Sequence, residues 1–423
     1  MDRGRPAPAI RWRPLRTVVT LPPLEASEAD SFAAAARGHG AALLELRTDL
    51  HAARGLDARA LAAILPLVVS ARGARLPDDW VRAATFVDEP IEGGLGPHPP
   101  IARIASLHAP APLSTDEALA AWRDVTLADG DHAKHVEPLG RAADAARLVA
   151  TQRALADRFG ADRVTVLATG ELALPFRAVL ADRNALDYVA TPRFHAAAGQ
   201  RLLADAVRSG RAPPGSRRYG ILGSEIRGSR SPLIHRQPFD RIDLPAEAPV
   251  GELIDSLAPF YDGFAVTSPF KQAVARHLGL EDAAINTLRL RAGRWEGTNT
   301  DIEGAKVMLA ALGPRVTVLG DGGVTRALHA VASRSATTLT VLRHADVGAA
   351  PLGGDVVWTW PQRVPTPASL RFAGARVATV AYGLQAGELA AEILRRGGTP
   401  CSFGPRWFIT QARAQRRYWG LAA

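Results

Sequence analysis

Cysteine and lysine are almost missing from this chain: there is one cysteine, Cys401, and only three of the 51 basic residues, Lys134, Lys271 and Lys306, are lysines. A lone cysteine excludes an intramolecular disulfide and any cysteine-based metal cluster, and it suits a reducing compartment. No uncharged apolar run approaches the roughly 18 residues that a membrane-spanning helix needs. The opening "MDRGRPAPAIRWRPLR" is basic and proline-rich and has no secretory apolar stretch, so residues 1–16 are expected to form a mostly disordered tail and the protein to be cytoplasmic. The net charge is +9, but the arginines are spread along the chain instead of gathering with aromatics on one segment. That pattern argues against nucleic acid or a membrane as partner, and small anionic ligands suit it as well. Arginine serves wherever a bare positive charge is wanted, whereas lysine is needed where an amine must lose its proton.

Eight strand-like runs occupy the first half: "TVVTL", "ALLELRTDL", "PLVVSAR", "TFVDEP", "IARIASLH", "DHAKHVE", "VTVLATG" and "YVATP". Most are followed by Ala-rich helical stretches, which predicts a parallel sheet, and eight is the count of a closed β/α barrel. Only 16 residues separate Arg72 from Asp88, so one barrel helix is predicted to be truncated. The Gly-, Pro- and Arg-rich segment 207–217 is the expected linker. Beyond it, "RVTVLGDGGVTRALHAVA" reads as strand, glycine turn and helix, the opening unit of a Rossmann-type nucleotide-binding lobe.

Charged residues mark the first candidate site. Glu45, Arg47 and Asp49 alternate and are expected to share one face of a strand. Arg72, Asp88, His108 and Lys134 follow successive apolar runs, and residues at the ends of parallel strands converge on the face where barrel enzymes place their chemistry.

Taken in order, "ELRTD", "SLH", "GDHAK", "TGELALPFR" and "AAAGQ" make residues 17–206 resemble the type I 3-dehydroquinate dehydratases. The resemblance implies that Lys134 forms an imine with the substrate ketone and that His108, assisted by Glu45, moves the protons. It also implies that Arg47, Arg72, Asp88, Arg177 and Gln200 line the substrate site. The chemistry is coherent: an imine is a better electron sink than a ketone, and histidine can both accept a proton and return it. Thr169 stands where the family has methionine, and Ala196 where it has a loop serine.

The second half carries "GSRSPLIH", "FAVTSPFK", "AAINT" and "GTNTDIEG", then the glycine turn and "ITQARAQRRYWG". In that order these segments resemble the shikimate dehydrogenases. The resemblance implies a catalytic pair, Lys271 with Asp301, and a shikimate site built from Ser229, Ser231, Thr267, Asn286, Asn299, Tyr382 and Gln411. Gly320, Gly322 and Gly323 would approach a pyrophosphate, and Arg343 the 2′-phosphate of NADP(H), with NAD left open and no metal required. Ala265 and Thr379 replace an Asn and an Asp of the pattern.

The two resemblances together imply an N-terminal (β/α)8 barrel joined to a two-lobed dehydrogenase-like unit. Residues 218–305, completed by 404–423, would bind shikimate, and 306–403 would bind the cofactor. The implied protein is bifunctional. It dehydrates 3-dehydroquinate to 3-dehydroshikimate and reduces that product to shikimate. The alternatives are a protein keeping one of the two activities, or a non-catalytic metabolite sensor built from the same domains.

Overall fold

The structure is a computed structural model that describes residues 16–92, 95, 101–213, 216–236, 238–280, 284–360 and 364–422. Two compact units are present, one of residues 1–218 with 237–260, the other of 219–236 with 261–423.

In the first unit eight parallel strands run in the order β7-β6-β5-β4-β3-β2-β1-β8. They are β1 (Arg16–Thr20), β2 (Leu43–Arg47), β3 (Leu67–Ser70), β4 (Phe86–Pro90), β5 (Ala102–His108), β6 (His132–Pro138), β7 (Val164–Thr169) and β8 (Leu186–Val189). Side chains alternate across each strand, so β2 sends Leu44 and Leu46 outward to the helices while Leu43 and Glu45 face inward. Val18, Leu43, Val68, Phe86, Ile104 and Leu186 form an apolar layer inside the barrel. One dyad further along, the buried inward residues become Thr20, Glu45, Ser70, Asp88, Ser106, Lys134 and Tyr188. The barrel is thus oil below and ionic above.

The barrel is nearly closed: between β7 and β8 a single backbone bond, from Ala185 N to Val164 O (2.8 Å), is supplemented by side chains. The Asn184 side chain accepts from Val166 N (2.9 Å) and donates to Val166 O (2.8 Å), while Leu186 N donates to Thr165 Oγ1 (3.0 Å). Above them Arg177 donates to the carbonyls of Ala168 (3.3 Å) and Tyr188 (2.5 Å), one on each strand. Side chains therefore supply bonds that a backbone ladder would otherwise make.

The truncated step between β3 and β4 carries one helix of six residues, Asp78–Ala83. Asp49 departs from the expected alternation. Strand β2 ends at Arg47 and the chain turns into the helix Thr48–His51, so Asp49 lies off the strand and pairs with Arg47 (2.6 Å).

After β9 (Arg218–Gly223), residues 238–260 group with the barrel and contain β10 (Phe239–Asp243) and the helix Val250–Leu257. Arg218, 1% exposed, holds them there. Its guanidinium pairs with Asp240 (2.5 Å) and Asp182 (2.7 Å) and donates to Ser209 (2.8 Å).

In the second unit β11 (Tyr261–Val266), β12 (Thr287–Arg291) and β13 (Arg294–Thr298) form an antiparallel run. A separate parallel sheet has the order β15-β14-β16-β17-β18, from β14 (Arg315–Leu319), β15 (Thr338–Leu342), β16 (Asp355–Trp358), β17 (Arg376–Thr379) and β18 (Thr399–Ser402). Because β15 lies on one side of β14 and β16 on the other, the strand order reverses there. In open parallel sheets the crevice at that reversal is the ligand-binding place.

Candidate active sites

Lys134 sits on β6 inside the barrel, 1% exposed, and its ammonium pairs with the equally buried Asp88. Arg72 approaches the same carboxylate oxygen (3.7 Å) and Ser70 donates to it (3.3 Å). Burial pushes Lys134 below the usual ammonium range, against the pull of Asp88. Burial would raise the Asp88 carboxyl, but Lys134 and Arg72 outweigh it and hold the group below its ordinary value. Glu45 accepts from Thr20 (2.6 Å) and Ser70 (2.8 Å), one hydroxyl on each oxygen. His108 ends β5 at the barrel mouth. Desolvation by the surrounding protein, then the positive charges of Lys134 and Arg72, lower its pKa to about 3, so at neutral pH the ring is uncharged.

A cavity of about 70 Å³ opens above this layer and is lined by Glu45, Arg47, Arg72, His108, Lys134, Thr169, Arg177, Tyr188, Ala196 and Gln200, among others. The structure therefore gathers every residue named from the first resemblance around one chamber, with Asp88 just beneath it. Two of them have local duties as well. Gln200 accepts from the backbone N–H of Ala196 (2.8 Å) and Ala197 (3.2 Å), which orders the loop over the mouth. Both terminal nitrogens of Arg177 are used on the β7–β8 carbonyls, and burial lowers its pKa to about 10.

The outward face of β6 was not singled out in the sequence. His135 and Glu137 are fully buried there, 3.2 Å apart, with Trp122 donating to His135 (3.3 Å) and Arg147 pairing with Glu137 (2.5 Å). The signal was available, since "HAKHVE" alternates and leaves His and Glu facing away from Lys134. A period-two count would have exposed it.

The second unit holds a larger cavity, about 560 Å³, lined by Ser229, Ser231, Thr267, Lys271, Asn286, Asp301, Tyr382 and Gln411, among others. Lys271 Nζ lies 2.5 Å from Asp301, which is 3% exposed at the first position of the helix Asp301–Leu309. Trp407 Nε1 donates to the other carboxylate oxygen (3.4 Å), so Asp301 is held from two sides. Ser229 and Ser231 hydroxyls stand 3.3 Å apart. The Asn286 side-chain oxygen accepts from the backbone N–H of Thr300 (2.7 Å) and from the hydroxyls of Thr287 (2.9 Å) and Thr300 (3.0 Å), which fixes the chain just before Asp301. Asn299 is used differently from the other predicted residues. Its side-chain oxygen accepts from Asp301 N (3.1 Å), so it orients the helix start and is not among the lining residues. Trp407 and Gln415 also line the cavity; Gln415 shares a helix face with Gln411, so spacing alone could have placed it there.

The glycine turn follows β14 at the point where the strand order reverses. Gly320 has φ +114°, and a Cβ there would stand 2.5 Å from Thr359 Oγ1 and 2.8 Å from Trp360, so only glycine fits. Gly322 precedes the helix Gly323–Ala332, which starts directly after the turn that leaves β14 and has no side-chain cap on its first amides. This set of backbone donors at a helix start fits a pyrophosphate. Arg343 lies after β15, exposed, with its guanidinium 3.3 Å from Asp321 of the turn. Among the described residues no group of three or more His, Cys, Asp or Glu side chains is placed to hold a metal ion, and no helix is long and apolar enough to cross a membrane.

Comparison with known proteins gives a one-sided result. No protein-family model matches the chain. Over its C-terminal half it is similar to shikimate dehydrogenases (NADP(+)). That of Shouchella clausii is 34% identical over 145 residues, covering 29% of this chain and 53% of the relative. That of Ignicoccus hospitalis is 31% identical over 142 residues, again covering 29% and 53%. The chain spans about half the length of the curated relatives it matches. Among solved structures, the dehydroquinate dehydratase and shikimate dehydrogenase of S. pombe covers 97% of this chain and 96% of its own, at 18% identity and a TM-score of 0.34. Shikimate dehydrogenase 1 of Peptoclostridium difficile covers 49% and 93%, at 20% identity and a TM-score of 0.40.

Proposed function

We propose that the protein is a bifunctional enzyme of the shikimate route, with a barrel dehydrating 3-dehydroquinate and a second unit interconverting 3-dehydroshikimate and shikimate with NADP(H). The observation that carries this is the placement of lysine: two of the chain's three lysines each meet a buried aspartate at a cavity, Lys134 with Asp88 and Lys271 with Asp301. A lysine whose amine must shed its proton cannot be replaced by arginine, which fits a chain whose basic residues are otherwise all arginine except the exposed Lys306.

In the barrel, the Lys134 amine adds to the substrate ketone and the resulting carbinolamine loses water to leave an imine. The neutral His108 ring takes a proton from the carbon next to the imine carbon and returns it to the departing hydroxyl, which leaves as water. Hydrolysis of the imine then frees Lys134 and the unsaturated ketone. Arg47, Arg72 and Arg177 supply positive charge for the substrate carboxylate, and Gln200 a polar contact for its hydroxyls. Glu45 acts through the hydroxyls of Thr20 and Ser70, and Asp88 keeps Lys134 oriented.

In the second unit, the two hydroxyls of Ser229 and Ser231 would receive the shikimate carboxylate, and Thr267, Asn286, Tyr382 and Gln411 the ring. Asn299 supports Asp301 through the helix start. When bound, NADPH supplies the hydride. Lys271 gives a proton to the oxygen that becomes the hydroxyl, Asp301 holds the lysine in place for that transfer, and solvent water returns a proton to the amine. The glycine turn 320–323 would hold the pyrophosphate and Arg343 the 2′-phosphate, and availability of NADPH suits a cytoplasmic protein. In this reading the barrel spans 17–206, the linker 207–217, the shikimate-binding lobe 218–305 with 404–423, and the cofactor lobe 306–403.

The test is a coupled assay that starts from 3-dehydroquinate and NADPH. Wild type should produce shikimate and oxidise the cofactor. Lys134→Ala should stop at 3-dehydroquinate yet still reduce added 3-dehydroshikimate, and Lys271→Ala should accumulate 3-dehydroshikimate. The small volume of the barrel cavity supports a narrower second reading, in which only the dehydrogenase is retained. In that case added 3-dehydroshikimate is reduced and 3-dehydroquinate is untouched.

A further inference from the structure

The inward layer of the barrel contains several hydroxyls, and most are already used. Thr20 and Ser70 donate to Glu45, Ser106 donates to the Glu89 carbonyl (3.2 Å), and Thr165 accepts from Leu186. Tyr188 is different. It projects inward from β8, is 5% exposed, and its hydroxyl has no hydrogen-bond partner among the described residues. Its ring lies against Lys134, with Nζ 4.8 Å from the centroid, and its side chain lines the same cavity as Lys134, His108 and Arg177.

A buried hydroxyl without a partner destabilises the folded chain, and phenylalanine would fill the same space without that cost. Tyrosine at this position therefore needs a reason. Packing does not supply one, because the aromatic face against Lys134 would be present in phenylalanine as well. Burial, reinforced by the negative charges of Asp88 and Glu45, holds the phenol well above its ordinary pKa. Its proton stays in place and the group acts as a donor.

We propose that the Tyr188 hydroxyl donates a hydrogen bond to an oxygen of the ligand in the barrel cavity and selects for a small carboxylated ring bearing a ketone or hydroxyl at that point. This rests on the barrel being a ligand site of the kind described above. A site built to bond a ligand oxygen rejects a ligand that lacks it more strongly than an apolar pocket rejects an extra group. Tyr188 is thus a binding and specificity-determining residue, separate from the imine lysine and the histidine.

The experiment compares the full-length wild type with Tyr188→Phe in four measurements: borohydride trapping of 3-dehydroquinate on Lys134 read by mass, steady-state turnover of 3-dehydroquinate, calorimetric titration with quinate, and thermal unfolding without ligand. Quinate has no ketone, so its binding does not depend on the imine. The expected result is a Lys134 adduct in both proteins, a KM for 3-dehydroquinate raised about tenfold with a smaller change in kcat, quinate binding weakened about tenfold, and a melting temperature equal to or above wild type. If wild type forms no adduct, the dehydratase reading fails, and the quinate titration decides Tyr188 alone. Weaker binding by the variant then supports the proposal, whereas equal binding, or none by either protein, overturns it. An unchanged KM with the adduct formed overturns it too. So does a lower melting temperature in the variant, which would assign the hydroxyl to the folded chain itself.

Discussion

Arg343 and Asp321 neutralise one another across the glycine turn, the guanidinium lying 3.3 Å from the carboxylate. The residue that would meet a 2′-phosphate is already engaged, and the turn that would meet a pyrophosphate carries a negative charge. Asp321→Ala is expected to release Arg343 and to tighten NADP binding by roughly two- to fivefold, the scale of an exposed ion pair. NAD, lacking the phosphate, should gain less. Fluorescence titration is a suitable measurement because Trp360 sits beside Gly320. Equal gains for both cofactors would show that Arg343 does not discriminate between them.

The Lys271–Asp301 pair predicts a loss of turnover without a loss of shikimate binding. Lys271→Ala should lower kcat by roughly 10²–10⁴-fold, the usual contribution of a positioned proton donor. The Kd for shikimate should change far less. Gly323→Ala tests the same point more gently, because a Cβ there would stand 3.3 Å from Lys271 Cδ. Its kcat should fall and be regained in part when temperature loosens the lysine. Stopped-flow absorbance of the reduced nicotinamide measures both.

Acid should destabilise both units in one pH window. The buried His132 and His235 rings have pKa values lowered to about 4, mainly by burial, from the ordinary 6.5. Each therefore binds a proton more readily unfolded than folded. As pH falls below 6.5 the unfolded state takes up protons first, and stability declines until about pH 4. Each ring accounts for roughly 3 kcal/mol across that window. Denaturant unfolding at pH 7.5 and pH 4.5 checks this, and His132→Leu should flatten the dependence for the barrel.

The β7–β8 seam makes a stability prediction of its own. Asn184→Ala removes two buried bonds and strands both the N–H and the C=O of Val166. The cost should be about 2–4 kcal/mol. Amide exchange should rise first at Val166 and Leu186. A uniform rise across the barrel would mean that the seam has no separate weakness.

The barrel and the parallel sheet were legible in the sequence because both rest on period-two runs separated by helical stretches, a pattern visible without tertiary information. The convergence of Lys134, His108, Arg47 and Arg72 on one barrel cavity was legible for the same reason, each following an apolar run, whereas Arg177 lies within the helix Leu174–Ala181 and was named only through the resemblance. Asp49 was misplaced because alternation continues past the point where the chain turns, and nothing in "RTDL" marks the start of the four-residue helix. Trp407 and the His135–Glu137 pair went unread because their importance comes from what faces them, Asp301 in one case and Trp122 with Arg147 in the other. Asp301 lies 106 residues from Trp407 in the chain; Trp122 and Arg147 are only 13 and 10 residues from the pair they meet, but belong to the helical segments flanking β6 and not to the strand itself. The Arg343–Asp321 contact has the same origin, since it depends on two strands lying side by side.

Lysine acylation is a common way for cells to erase positive charge from a protein surface. Here Lys134 is 1% exposed and Lys271 is tied to Asp301, which leaves Lys306, its side chain 56% exposed beside Glu303, as the one lysine open to such chemistry. A surface whose positive charge rests on arginine keeps that charge when acyl donors are abundant. The two lysines that would do chemistry are shielded by their own aspartates.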